Sequence, residues 1–178
     1  VLLAENLHHA AALRRAHNVE VMTAKFKPCA NEHWPPCKGN GGDFSVGYRN
    51  MCRLWYSDVW ALFENYDVVI RVDSDILIKK AGALTTDTLS SPHLVGADSA
   101  FVTEGMGMLF GATASRNPYT NVMVANLTWI RSDRNLHMWF ALVKATNCIC
   151  HNRWGDLPLW GNTLAALKID LQALPGWA

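Results

Sequence analysis

Two aspartates, Asp73 and Asp75, stand one residue apart at the end of the apolar run Val68-Val69-Ile70-Arg71-Val72. A near-continuous run of β-branched residues suits a strand buried on both faces. Carboxylates this close repel each other, and keeping both ionised at a sheet edge is costly unless a cation shares them. Oxygen donors of this kind favour Mg²⁺ or Mn²⁺, so the pattern reads as strand, then metal site. The plain alternative is a solvated turn with an Asp at each end. Two further groups could do chemistry. Arg49 and Arg53 are one helical turn apart and face the same way, able to grip a phosphate or to line a solvated edge. Asp156, in Arg153-Trp154-Gly155-Asp156-Leu157-Pro158, is either the start of a helix or a site residue that Gly155 lets the backbone turn towards.

The neighbours of the Asp pair decide among its possible owners. A calcium loop needs further oxygen ligands and Gly at its sixth position, where this chain has Ile78. A phosphohydrolase of the dehalogenase type has Asp-x-Asp-x-Thr/Val, whereas the fifth residue here is Leu77. The pattern instead resembles the metal-nucleotide motif of GT-A glycosyltransferases. There a cation held by carboxylates neutralises the departing diphosphate of a nucleotide sugar.

Helix-like and strand-like segments alternate around these residues, which is the grammar of an α/β sheet. Leu2, Leu3, Leu7 and Leu13 have helical spacing that ends at Asn18, and Val19 to Met22 reads as a strand. Residues 25–47 hold Pro28, Pro35, Pro36 and several glycines, and are expected to form a long loop and candidate lid. Tyr48 to Phe63 is helical through Met51, Leu54, Trp55, Val59 and Leu62. A short helix or loop at Ala83 to Ser91, a strand at His93 to Ala97 and a strand-like stretch at Asn121 to Ile130 follow. Ser132 caps the next helix, and a helix and a short strand end the chain at Leu164 to Leu174. The apolar Gly105 to Gly111 lacks the spacing of a phosphate loop. The expected fold is α/β, a single mixed and mainly parallel sheet flanked by helices, with Asp73 to Asp75 at the carboxyl end of a central strand.

The 178 residues suit one domain, half of them are hydrophobic, and the net charge is +1. That balance argues against disorder and against a nucleic-acid partner. No apolar run reaches the roughly 18 residues of a membrane span, so no membrane contact is expected from this chain itself. Its opening within a helical pattern gives the expectation of a fragment lacking a first strand and a C-terminal segment. Of the five cysteines, Cys29 and Cys37 share the loop and could pair in an oxidising compartment, and Cys52 reads as a buried thiol. Asn126-Leu127-Thr128 fits a glycosylation signal, but apolar flanks argue for burial.

Four ordered segments carry a resemblance that covers about residues 47–167. Tyr48-Arg49-Asn50-Met51-Cys52-Arg53 and Arg71-Val72-Asp73-Ser74-Asp75 resemble the Tyr-Arg-His-Met-Cys-Arg and Arg-Val-Glu-Pro segments of glycosyltransferase family 15, the fungal α-1,2-mannosyltransferases. Arg131-Ser132 and Arg153-Trp154-Gly155-Asp156 match that family's Arg-Ser and Arg-Trp-Gly-Asp in order. The Asp-Ser-Asp is also similar to family 8 glycogenin-like enzymes. The resemblance implies the GT-A nucleotide-diphospho-sugar transferase fold, a GDP-mannose donor favoured over a UDP-sugar, Mn²⁺ (or Mg²⁺), and transfer with retention to a glycan or glycoprotein acceptor in the Golgi lumen. Asp73 and Asp75 then hold the metal and diphosphate. Arg49, Arg53 and Arg71 lie on the donor side, and Asp156 faces the acceptor as base or orienting group. Two departures matter. The family's Glu within Ser-Asn-Phe-Glu is Met123 here, and a thioether can neither attack nor take a proton. The family's metal-binding His would follow Gly176-Trp177, where the sequence reads Ala178. A nucleotide-sugar-binding domain impaired in catalysis is therefore the alternative function, with a dehalogenase-type phosphohydrolase as the weaker competitor.

Overall fold

The computed structural model describes residues 2–4, 21–23, 37, 45–73, 76, 86–99, 106–111, 117–152 and 154–174. Its strands are β1 (Leu2–Ala4), β2 (Val21–Thr23), β3 (Val68–Val72), β4 (Leu94–Ser99), β5 (Asn117–Asn126) and β6 (Gln172–Ala173). Its helices are α1 (Val46–Arg53), α2 (Thr86–Leu89), α3 (Gly107–Phe110), α4 (Leu127–Ser132), α5 (Arg134–Thr146), α6 (Cys148–His151) and α7 (Asp156–Ala166). From α1 the chain continues through a wide turn at Leu54–Asp58 into a tight helix at Val59–Phe63.

Four strands form one mixed sheet in the order β3-β5-β4-β6, and β1 pairs with β2. The mixed α/β architecture is as expected. The parallel share among the described residues is smaller: β1–β2 and β4–β6 are parallel, while β5 runs antiparallel to both β3 and β4. The ten-residue β5 spans the sheet, and Met123 at its middle faces Arg71 on one side and Gly96 on the other. A bulge between Gly96 and Ala97 shifts the register there, and a Cβ on Gly96 would come 3.0 Å from Pro118 Cβ. Glycine is what lets the strands close at this point.

The core lies where the α1 segment, α5 and α7 meet the sheet. Tyr56, Trp60, Phe140 and Trp160 meet there edge to face, with ring centroids 5.0 to 5.9 Å apart. Their polar tips are satisfied: Tyr56 Oη shares a 2.8 Å hydrogen bond with Thr163 Oγ1, and the Trp60 indole donates to the Tyr56 carbonyl. Such rings fill large volumes with few rotamers, which gives the site helices a rigid base.

Five expectations are corrected. Among the described residues β3, expected as a central strand buried on both faces, is the outer strand of the sheet, with Ile70 and Val72 exposed. The chain is strand, not helix, at Leu2–Ala4. The strand-like stretch from Asn121 turns helical at Leu127, since an apolar run alone does not separate strand from helix. Ser132 closes α4, and Asp133, its carboxylate accepting from the amides of Asn135 and Leu136, caps α5. Cys37 is bonded to Cys148 and not to Cys29. Cys52 is a buried free thiol, as expected. Asn126 caps α4 and donates its amide to the Ser91 carbonyl, so the glycosylation signal is used as structure. Most of the loop expected at residues 25–47 lies outside the described residues.

Candidate active site

Asp73 follows directly on β3, and Arg71 sits two residues before it, so both side chains leave the strand on one face. The Arg71 guanidinium is 4% exposed and its fork is fully used. Nε donates to Asp73 Oδ1 at 2.9 Å, one terminal nitrogen to Asp73 Oδ2 at 3.3 Å, and the other to Asp156 Oδ2. The plane of the fork is held from α1 and the turn after it, with the Trp55 ring 4.6 Å from Cζ and Met51 Sδ 3.9 Å from the terminal nitrogen. Burial would lower the Arg71 pKa, but Asp156 first and then Asp73 more than reverse this, so it stays charged.

Asp156 opens α7. Gly155 before it has φ −71°, a conformation open to any residue, so the tight turn does not require glycine. The Asp156 side chain caps nothing; it points at Arg71 and is 4% exposed. Its backbone amide donates to the Cys52 thiol, which in turn bonds Tyr48. Burial, then the charge of Asp156, pushes the Cys52 thiol up to about 12, so it is not a nucleophile. The same burial raises the Tyr48 phenol.

Asp73 is the exposed end of this chain of contacts, its side chain 30% accessible. Its amide donates to the Asn121 carbonyl at 2.8 Å and its own carbonyl accepts from Ile76 at 3.1 Å, so backbone and side chain are fixed together. Arg71 takes two of the roughly four lone-pair sites a carboxylate offers, and hard oxygen sites remain for a cation. Ser74, Asp75 and Arg153 lie outside the described residues. Among those described, no group of three His, Cys, Asp or Glu residues is arranged to hold a metal ion.

Arg49 and Arg53 are engaged elsewhere. Arg49 donates to the carbonyls of Cys150 and Ser45, and Arg53 pairs with Asp58 at 3.4 Å. Met123, fully buried, lies directly across from Arg71 on the same face of the sheet. Sequence reasoning did not anticipate Met51 and Trp55 as the bed of Arg71. Their four-residue spacing on a helix beside an Arg-bearing strand was the available signal. It is indistinguishable from ordinary core spacing.

The fold is similar to that of solved fungal mannosyltransferases. Core-mannan synthase A from Aspergillus fumigatus, in its Mn/GDP form, superposes with a TM-score of 0.62 at 9% identity, over 91% of this chain and 59% of that one. The S. cerevisiae mannosyltransferase Ktr4p superposes at 0.60 and 12% identity over 92% of this chain and 56% of that one. Its GDP complex gives 0.54 at 13%, over 72% and 43%. The chain thus spans about half the length of the structures it matches. No family model matches the chain, and no curated protein does.

Proposed function

We propose that this chain carries the donor-binding core of a metal-dependent glycosyltransferase that moves a hexose, with mannose favoured, from a GDP-sugar to a hydroxyl of a glycan or glycoprotein. The observation that carries the reading is Asp73, fixed and accessible at the carboxyl end of β3, in a fold shared with mannosyltransferases solved with GDP and with Mn/GDP. Asp73 and Asp75 would hold Mn²⁺ or Mg²⁺, and hard oxygen donors fit such ions. When bound, the cation neutralises charge on the departing diphosphate. Arg71 fixes the Asp73 carboxylate. Arg49 and Arg53 reach a donor phosphate only by exchanging their present contacts with Cys150 and Asp58. The Cys37–Cys148 bond supports an oxidising compartment, in keeping with a Golgi lumen.

Calorimetric titration with GDP-mannose, UDP-glucose and UDP-galactose, with and without Mn²⁺, tests this. Mn²⁺-dependent binding of GDP-mannose is expected, and absence of binding by any nucleotide sugar sinks the proposal. A second reading, a binding domain without transfer, is favoured by one observation: the residue opposite Arg71 is the inert Met123. Tight donor binding with no glycan product selects it. Where product forms, the anomeric signal in its proton NMR spectrum tests retention.

A further inference from the structure

Asp156 is 4% exposed and its carboxylate meets Arg71, whose fork also holds Asp73, so a buried ion pair stands behind an accessible carboxylate. One cation and two anions leave Arg71, Asp73 and Asp156 with a formal charge of −1. Asp156 spends its charge on Arg71 out of contact with solvent. The fork can then hold both Asp73 oxygens rigidly without cancelling the negative charge that Asp73 presents outward. A lone Arg71 would fix Asp73 equally well and neutralise it.

We propose that Arg71 and Asp156 are positioning residues that set the geometry and the net charge of Asp73 for a divalent cation. This rests on the functional reading above and extends it: Asp156 acts through Arg71 and not on the acceptor. The arrangement has three supports in the structure. The donors of Arg71 that meet Asp73 form a bidentate fork, which a lysine cannot reproduce. Trp55 and Met51 hold the plane of that fork. The Asp73 backbone is anchored on Asn121, which fixes the point from which its carboxylate projects.

The test is titration of Mn²⁺ into GDP-saturated protein, read by calorimetry, with near-ultraviolet circular dichroism to verify packing. Asp156→Asn changes the cluster from −1 to neutral and should weaken Mn²⁺ binding on the order of ten- to a hundredfold. Arg71→Met combined with Asp156→Asn returns the cluster to −1 but removes the fork, so it should stay about tenfold or more weaker than the parent. A purely structural pair would lower the melting temperature and leave Mn²⁺ affinity untouched. Mn²⁺ affinity of Asp156→Asn or of the double variant within twofold of the parent overturns the proposal. Should Asp156→Asn lose its native dichroism, Arg71→Lys carries the test. It keeps the charge and loses the fork, a tenfold or greater loss is expected, and unchanged affinity overturns the proposal. A parent protein that binds neither Mn²⁺ nor GDP overturns the glycosyltransferase reading itself, which is a different result from a binding parent with indifferent variants.

Discussion

Arg71 is the residue on which most of the site depends, because among the described residues it is the one that pairs with the buried carboxylate of Asp156. Replacing it with Met leaves that carboxylate without its counter-charge, and breaking a buried pair from one side typically costs about 3–5 kcal/mol. Urea unfolding of Arg71→Met should show a loss of that size, largely recovered when Asp156→Asn is added. A loss under about 1 kcal/mol would mean that water reaches Asp156. Asp75 belongs to the same scale by a different route. Asp75→Ala should spare stability and reduce transfer on the order of 10³-fold, as loss of a charged ligand to a catalytic cation does. A variant keeping more than about a tenth of the rate would remove Asp75 from the metal site. Asp73 was legible in the sequence because a run of β-branched residues stops at it. The Arg71–Asp156 pair was not, since 85 residues separate the partners and only the fold brings them together.

Single residues also decide where elements begin and bend. Ser132 and Asp133 are both good caps, and the sequence does not choose between them; the structure does, because α4 still occupies Ser132. Asp133 accepts from the amides of Asn135 and Leu136 and from the Trp129 indole. Burial alone would raise its pKa, but the Leu136 amide, the Trp129 indole and the Asn135 amide together hold it below the usual carboxylate range. A folded pKa below the unfolded one means stabilisation that is complete above the unfolded value of about 3.9 and is lost as pH falls through the folded value. Asp133→Ala should therefore cost about 1–2 kcal/mol at pH 7. The gap between parent and variant should narrow below about pH 4, and a gap as wide at pH 2 as at pH 7 would contradict the assignment. Gly96 sets the bend of β4. Gly96→Ala drives a methyl against the Pro118 ring at 3.0 Å and should cost about 1–3 kcal/mol, and an unchanged melting temperature would show that β5 gives way.

At the scale of the molecule, the alternation of strand and helix made the α/β class readable, whereas the antiparallel course of β5 did not follow from composition. Strand direction is fixed by connections and by what each face covers. Cysteine pairing was hidden for a related reason: two cysteines in one loop look like partners until folding brings a third one nearer. Cys37 and Cys148 close a separation of 111 residues with Cα atoms 5.2 Å apart. The bond ties residue 37 to the start of α6, the helix whose Cys150 carbonyl accepts from Arg49. That hydrogen bond joins α6 to the helix that carries Tyr48, Met51 and Cys52. A loop of that length is worth about 4.7 kcal/mol in the chain-entropy account, and native disulfides usually contribute 2–5. Replacing both Cys37 and Cys148 by Ser should lower unfolding stability by about 2–5 kcal/mol and speed amide exchange in α6. A double variant that melts with the parent and exchanges no faster would show that buried Ile149 and the disulfide-bonded Cys150 hold α6 without this bond.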